Sequence, residues 1–210
     1  LWWYEWICER FGELPGAVWC VGQPEIWQIA CYYAGIFLLV FGRRYVEAWK
    51  RRGTYGEENV PGVIIHSNRF LHQIATVMIL GLLIGLLTGN FDRGSRVTFL
   101  DVGQGDGIVV ETGQGAYLFD CGSTSRKNIG EYVLKPYLKS RGICSLRGVF
   151  VSHPDEDHMN GVLELLENGE EWGITAEQLF LPAIRESERR ETFEQLLAAA
   201  EDAGIPVSYI

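Results

Sequence analysis

Residues 148–161 read GVFVSHPDEDHMNG, and the fold is read outward from them. Gly148-Val149-Phe150-Val151-Ser152 is the short apolar run of a buried strand. It delivers His153-Pro154-Asp155-Glu156-Asp157-His158 at its end, where α/β folds bind ligands. Two imidazoles and several carboxylates packed this closely are costly to bury unpartnered, because each unpaired charge loses its hydration. A divalent cation removes that cost, since it takes such groups as ligands at about 2 Å. His153 and Asp155 lie two apart, so in extended backbone they point the same way, leaving Asp157 and His158 to face a second ion. A solvated acidic loop is the plainer reading of the same residues.

The segments on either side alternate as a mixed α/β protein should. Val97–Asp101 and Gly107–Glu111 have strand character, and the turn Gly113-Gln114-Gly115 leads into a third strand, Ala116–Asp120. Helical spacing covers Ile129–Lys139, with Pro136 shortening or kinking it, then Asn160–Leu166 and Ser187–Ala203. The order is three strands, then helix, strand, helix, strand, helix, a layered α/β arrangement.

Here a resemblance becomes specific. His153-x-Asp155-x-Asp157-His158 resembles the HxHxDH metal motif of the metallo-β-lactamase superfamily, with Asp155 where the middle histidine usually stands. Residues 99–106, FLDVGQGD, resemble the signature of the ComEC competence family within that superfamily. Leu118-Phe119-Asp120-Cys121-Gly122 is similar to its strand-Asp-Thr-Gly element, with Cys121 in place of Thr.

The resemblance implies the N-terminal half of a metallo-β-lactamase-like αββα sandwich over residues 96–210, preceded by two transmembrane helices. It implies a phosphodiester hydrolase, a nuclease, with two divalent metal ions that activate water and clamp phosphoryl oxygens. His153, Asp155, Asp157 and His158 are the implied ligands, Asp157 and His158 act in catalysis, and Asp120 and Asp106 orient the metal loop. For Asp106, a turn carboxylate capping its own backbone is an equal alternative. An aspartate in place of an imidazole favours manganese or magnesium, with zinc as the other option. Further ligands normally come later in such folds, and no histidine follows His158, so the chain as it stands is expected to be inactive.

Charge divides the sequence. Residues 1–95 carry eight Lys/Arg and eight Asp/Glu, and hold six of the seven Trp. Residues 96–210 carry ten and nineteen, so the whole net charge of −9 lies there. The first part reads as a membrane segment: an interfacial aromatic helix at 1–11, spans at about 24–41 and 70–88, and a basic loop 42–69. Buried helices of a soluble protein are the alternative for both apolar stretches. Six Lys/Arg in the loop put it in the cytoplasm, and the hydrolase outside the plasma membrane. There is no charged-then-apolar leader, and the chain reads as a fragment cut at both ends. Five cysteines without CxxC spacing argue against a cysteine metal site and leave the redox compartment open.

Against the acidic background, Arg126, Lys127, Lys135, Lys139, Arg141 and Arg147 face a single Glu131. They suit a DNA backbone or, equally, a solvated helix face. Three functions follow: a nuclease in DNA uptake, a non-catalytic module guiding DNA, and a membrane-tethered metallo-hydrolase of a small substrate. The expected partners are DNA, membrane lipid, further channel segments of the same protein, and other competence proteins.

Overall fold

The computed structural model describes residues 2–12, 20–53, 69–88, 94–185 and 191–210, and within them the side chains of 9, 12, 43–53, 69–73 and 75 are left aside. Most of the expected basic loop, 42–69, therefore lies outside the described residues. The chain divides into two compact units, Pro24–Gly89, and Leu1–Gln23 together with Asn90–Ile210.

In the first unit, α2 (Ile26–Gly53) pairs with α3 (Arg69–Thr88). The helices approach at Gly35, where a Cβ would come within 2.7 Å of the Leu83 side chain. Gln28, buried within the pair, accepts from the Glu25 amide at 2.5 Å and donates through Nε2 to the Leu86 carbonyl at 2.6 Å. One amide side chain thus caps the start of α2 and an otherwise orphaned carbonyl in the last turn of α3. Phe37, Leu38, Val77, Met78 and Leu82 remain exposed. Among the described residues no helix is long and apolar enough to cross a membrane. The expectation of two transmembrane helices thus goes unsupported; α2 and α3 are observed only as helices with exposed apolar side chains.

In the second unit, α1 (Trp2–Gly12) exposes Trp2, Trp3 and Tyr4, and the rest is built on a seven-stranded mixed sheet. β1 (Arg96–Phe99), β2 (Gly107–Thr112) and β3 (Gly115–Cys121) form an antiparallel meander. β4 (Ser145–Phe150) adds in parallel to β3, followed by β6 (Leu179–Leu181) and β7 (Val207–Tyr209), with short β5 (Thr175–Ala176) on β4. A π-helical turn, Gly130–Leu134, runs into α4 (Lys135–Arg141). Pro136 lies in the first turn of α4, where its missing N–H costs nothing, so it starts a helix. α5 (Glu156–Trp172) and α6 (Glu191–Asp202) complete the unit.

One side of the sheet is core. Val109, Leu118, Leu146, Val149 and Leu179 pack with Leu134 and Leu138, Met159, Val162 and Leu165, and Phe193 and Leu196 of the helices. The other side carries Val97, Phe99 and Phe119, all exposed, and a ladder in which Phe150 stacks between Phe119 and Phe180 at 4.6 and 4.3 Å. Gly148 makes room for it, since a Cβ there would meet the Phe150 and Phe180 rings at 3.0 and 3.2 Å.

Candidate metal centre

A bulge near the end of β3 creates the site. Gly107 pairs with Cys121 but Ile108 pairs with Phe119, so Asp120 has no partner on β2. Its φ is 51°, in the left-handed region that aspartate tolerates better than most residues. Bulges of this kind re-aim a side chain. Here the inward-outward alternation breaks, and Asp120 and Cys121 are both buried.

The redirected carboxylate reaches the segment 152–158. Asp120 Oδ1 accepts the Ser152 amide at 2.7 Å, and Oδ2 accepts the Ser152 hydroxyl at 2.6 Å. Oδ2 also lies 3.1 Å from Nδ1 of His158. A carboxylate only accepts, so this contact assigns the imidazole proton to Nδ1 and leaves the Nε2 lone pair for a ligand.

Three loops are sewn together around this point by backbone. The Asp106 amide donates to the Asp157 carbonyl at 3.2 Å, the Gly122 amide to the Asp106 carbonyl at 2.9 Å, and the Thr124 amide to the Gln104 carbonyl at 2.8 Å. The approach demands glycine, because a Cβ on Gly122 would overlap the Asp157 carbonyl carbon and the His158 nitrogen. Asn160 closes the seam: its Oδ1 accepts the Ser123 amide at 3.0 Å and its Nδ2 donates to the Ser123 carbonyl at 2.7 Å.

The expected ligands divide between two kinds of backbone. Asp155 is extended, with φ −103° and ψ 150°, and serves as the residue before α5. The helix starts at Glu156 rather than at Asn160, so Asp157 and His158 occupy its first turn. Carboxylates are favoured there by the aligned peptide dipoles. The sequence reading of this stretch as loop was therefore too long. The rings of His153 and His158 stand 5.8 Å apart, Asp157 Oδ2 is 3.9 Å from His158 Nε2, and Asp106 Oδ2 is 3.9 Å from His158 Nδ1.

Imidazole and carboxylate oxygen are a donor set that fits a divalent cation in chemistry, and the oriented Nε2 suits it. Among the described residues, however, no three His, Cys, Asp or Glu converge closely enough to hold one. Cys121 does not contribute a thiolate. Burial, with Glu164 and Asp120 nearby, pushes its thiol up to about 12, so it is a neutral packing group.

Ser152, Ser123 and Asn160 went unnoticed in the sequence. Ser152 had a local signal, since it immediately precedes His153; the other two had none. The basic residues are brought to separate places. Arg141 donates through Nε to Oε1 of Glu111 at 3.0 Å and through Nη2 to Oε2 at 2.9 Å, in a mostly buried pair. Lys135 lies over the Trp172 ring at 5.1 Å, and Lys139 lies 3.5 Å from the Gly173 carbonyl. Arg126 pairs with Asp101 at 3.2 Å, while Lys127 is exposed.

Residues 100–174 match the metallo-beta-lactamase superfamily model. The chain is 31% identical over 147 residues to "Recombination protein 2" of Haemophilus influenzae, covering 64% of this chain and 18% of that protein. It is 28% identical over 129 residues to "ComE operon protein 3" of Bacillus subtilis, covering 55% and 16% respectively. The chain thus spans less than a fifth of either relative. The match over residues 100–174 and the two relatives are consistent with the resemblance to the metallo-β-lactamase superfamily carried by HPDEDH and to the ComEC competence family carried by FLDVGQGD.

Proposed function

We propose that this chain forms part of a DNA-uptake protein of the plasma membrane and supplies an extracytoplasmic, metal-dependent phosphodiester hydrolase. The observation that carries the reading is the grip of Asp120 on Ser152 and on Nδ1 of His158, which leaves Nε2 on the side of Asp157, 3.9 Å from its Oδ2. The relatives' names, a ComE operon protein and a recombination protein, support a role in handling DNA.

In this reading His153, Asp155, Asp157 and His158 hold divalent metal, manganese or magnesium before zinc, together with ligands from elsewhere in the protein. The bound ions supply Lewis acidity and an activated water. Asp120 keeps the His158 proton on Nδ1, and Ser152 keeps Asp120 in place. The α2–α3 pair anchors the protein to lipid through its exposed apolar side chains, and further segments of the same protein form the channel.

The test is cleavage of DNA by the full-length protein. Cleavage is expected with manganese, more weakly with zinc, and not at all in the presence of a chelator. Cleavage that survives chelation overturns the metal reading. The engagement of Arg126, Lys135, Lys139 and Arg141 with other groups favours a second reading, hydrolysis of a small substrate by the same site. Metal-dependent turnover of a small phosphodiester, with DNA left intact, would select it.

A further inference from the structure

The segment just ahead of α2 is bound to the hydrolase unit at three consecutive points. Cys20 and Cys144 form a disulfide across 124 residues of sequence, with their Cα atoms 6.0 Å apart. Gly22 lies against the end of α4, where a Cβ would meet the Arg141 carbonyl carbon at 3.0 Å and the Gly142 nitrogen at 3.1 Å. The Gln23 amide then donates to the Ser140 carbonyl at 2.6 Å. Gly142 itself turns with φ 68°, and a Cβ there would meet the Gly22 nitrogen at 2.7 Å, so each glycine admits the other strand of backbone.

We infer that Cys20 and Cys144 are a structural disulfide made in an oxidising compartment, and that the chain between them returns to the side of the membrane it left. A bond joins only residues on the same side. The stretch that includes α2 and α3 therefore crosses a bilayer an even number of times, or not at all. Protein disulfides persist outside the cytoplasm and are reduced within it, which sets the side. This deepens the localisation in the reading above and is independent of its metal chemistry. In forming the bond, two thiols give two electrons and two protons to the disulfide of an oxidoreductase, which leaves as a dithiol. Cys8, Cys31 and Cys121 stay free, and Cys121 is shielded by burial.

Alkylation of the full chain in its host membrane tests this. Denatured with N-ethylmaleimide before any reduction, the protein should take label at Cys8, Cys31 and Cys121, and at Cys20 and Cys144 only after reduction. Mass analysis should recover the Cys20 and Cys144 peptides as one linked pair. Label on both before reduction, or Cys20 linked to Cys8 or Cys31, overturns the pairing. On intact spheroplasts, a membrane-impermeant phosphine should open the bond to an impermeant maleimide. Opening only after permeabilisation overturns the compartment. A bond found without DNA cleavage counts against the hydrolase alone, and cleavage without the bond counts against this inference alone.

Discussion

The segment 151–158 and the basic run at 126–147 belong to the same unit, yet they are organised on opposite principles. In the first, groups of different chemistry from separate loops meet: a bulge carboxylate, a serine hydroxyl and an imidazole share one set of hydrogen bonds. In the second, groups of one sign are dispersed, and Arg126, Lys135, Lys139 and Arg141 each find a different partner. Like charges have no reason to converge without a polyanion, whereas donors and acceptors do. Mixed chemistry in a short segment is thus the better sign of a site than a charge count.

The largest effect that sharpens this contrast is on turnover. In the full-length protein, His153→Ala or Asp157→Ala should reduce DNA cleavage to background while circular dichroism stays unchanged. Retained cleavage in both variants would break the assignment of the loop. In the basic run, the largest effect should instead be on stability. Arg141→Ala leaves Glu111 and the Tyr137 hydroxyl in a mostly buried pocket without their cation. Removing one partner of such a pair costs about 3 kcal/mol, read as a lower urea midpoint at constant slope. Arg141→Lys should recover only part of it, because an ammonium cannot span both carboxylate oxygens.

An intermediate effect is expected at the hinge of the first region. Asp120→Asn keeps the shape but sets an amide NH2 either against the Ser152 backbone N–H or against the Ser152 hydroxyl and the His158 Nδ1–H together. Partners of this kind are worth roughly 10–100-fold in metal affinity. Calorimetric manganese titration of the full-length variant should show such a loss, and an unchanged affinity would mean that His158 orients itself.

What was legible in the sequence follows the range of the interactions. β1 to β3 alternate locally and were read close to their true limits. β5 and β6 hold two and three residues, too few to show a period. α5 begins earlier than its apolar pattern because Glu156 and Asp157 suit a first turn, a polar signal that periodicity ignores. The chemistry of residues 153–158 was plain from composition. The bulge that aims Asp120, the double cap by Gln28 and the Cys20–Cys144 bond join distant positions, so no local pattern announces them.

The smallest effect tests whether the basic run meets DNA at all. Arg126 gives Nη1 to the Asp101 carbonyl at 2.7 Å and to its carboxylate at 3.2 Å, with both side chains open to solvent. An exposed pair contributes about 0.2–1 kcal/mol, so Arg126→Ala should hardly move the unfolding midpoint. If a phosphate displaces Asp101 in a DNA complex, the same substitution removes one counterion-releasing contact. The slope of log affinity against log salt should then fall by about 0.9 for duplex, or about 0.7 for a single strand. Lys127→Ala, which removes an exposed cation one residue on, should behave alike. An Arg141→Gln control keeps a hydrogen-bonding side chain toward Glu111 and should leave the slope unchanged, since that guanidinium faces Glu111. Equal slopes for Arg126→Ala, Lys127→Ala and the parent protein would remove the run from the DNA interface, and the contrast between the two regions would then be complete.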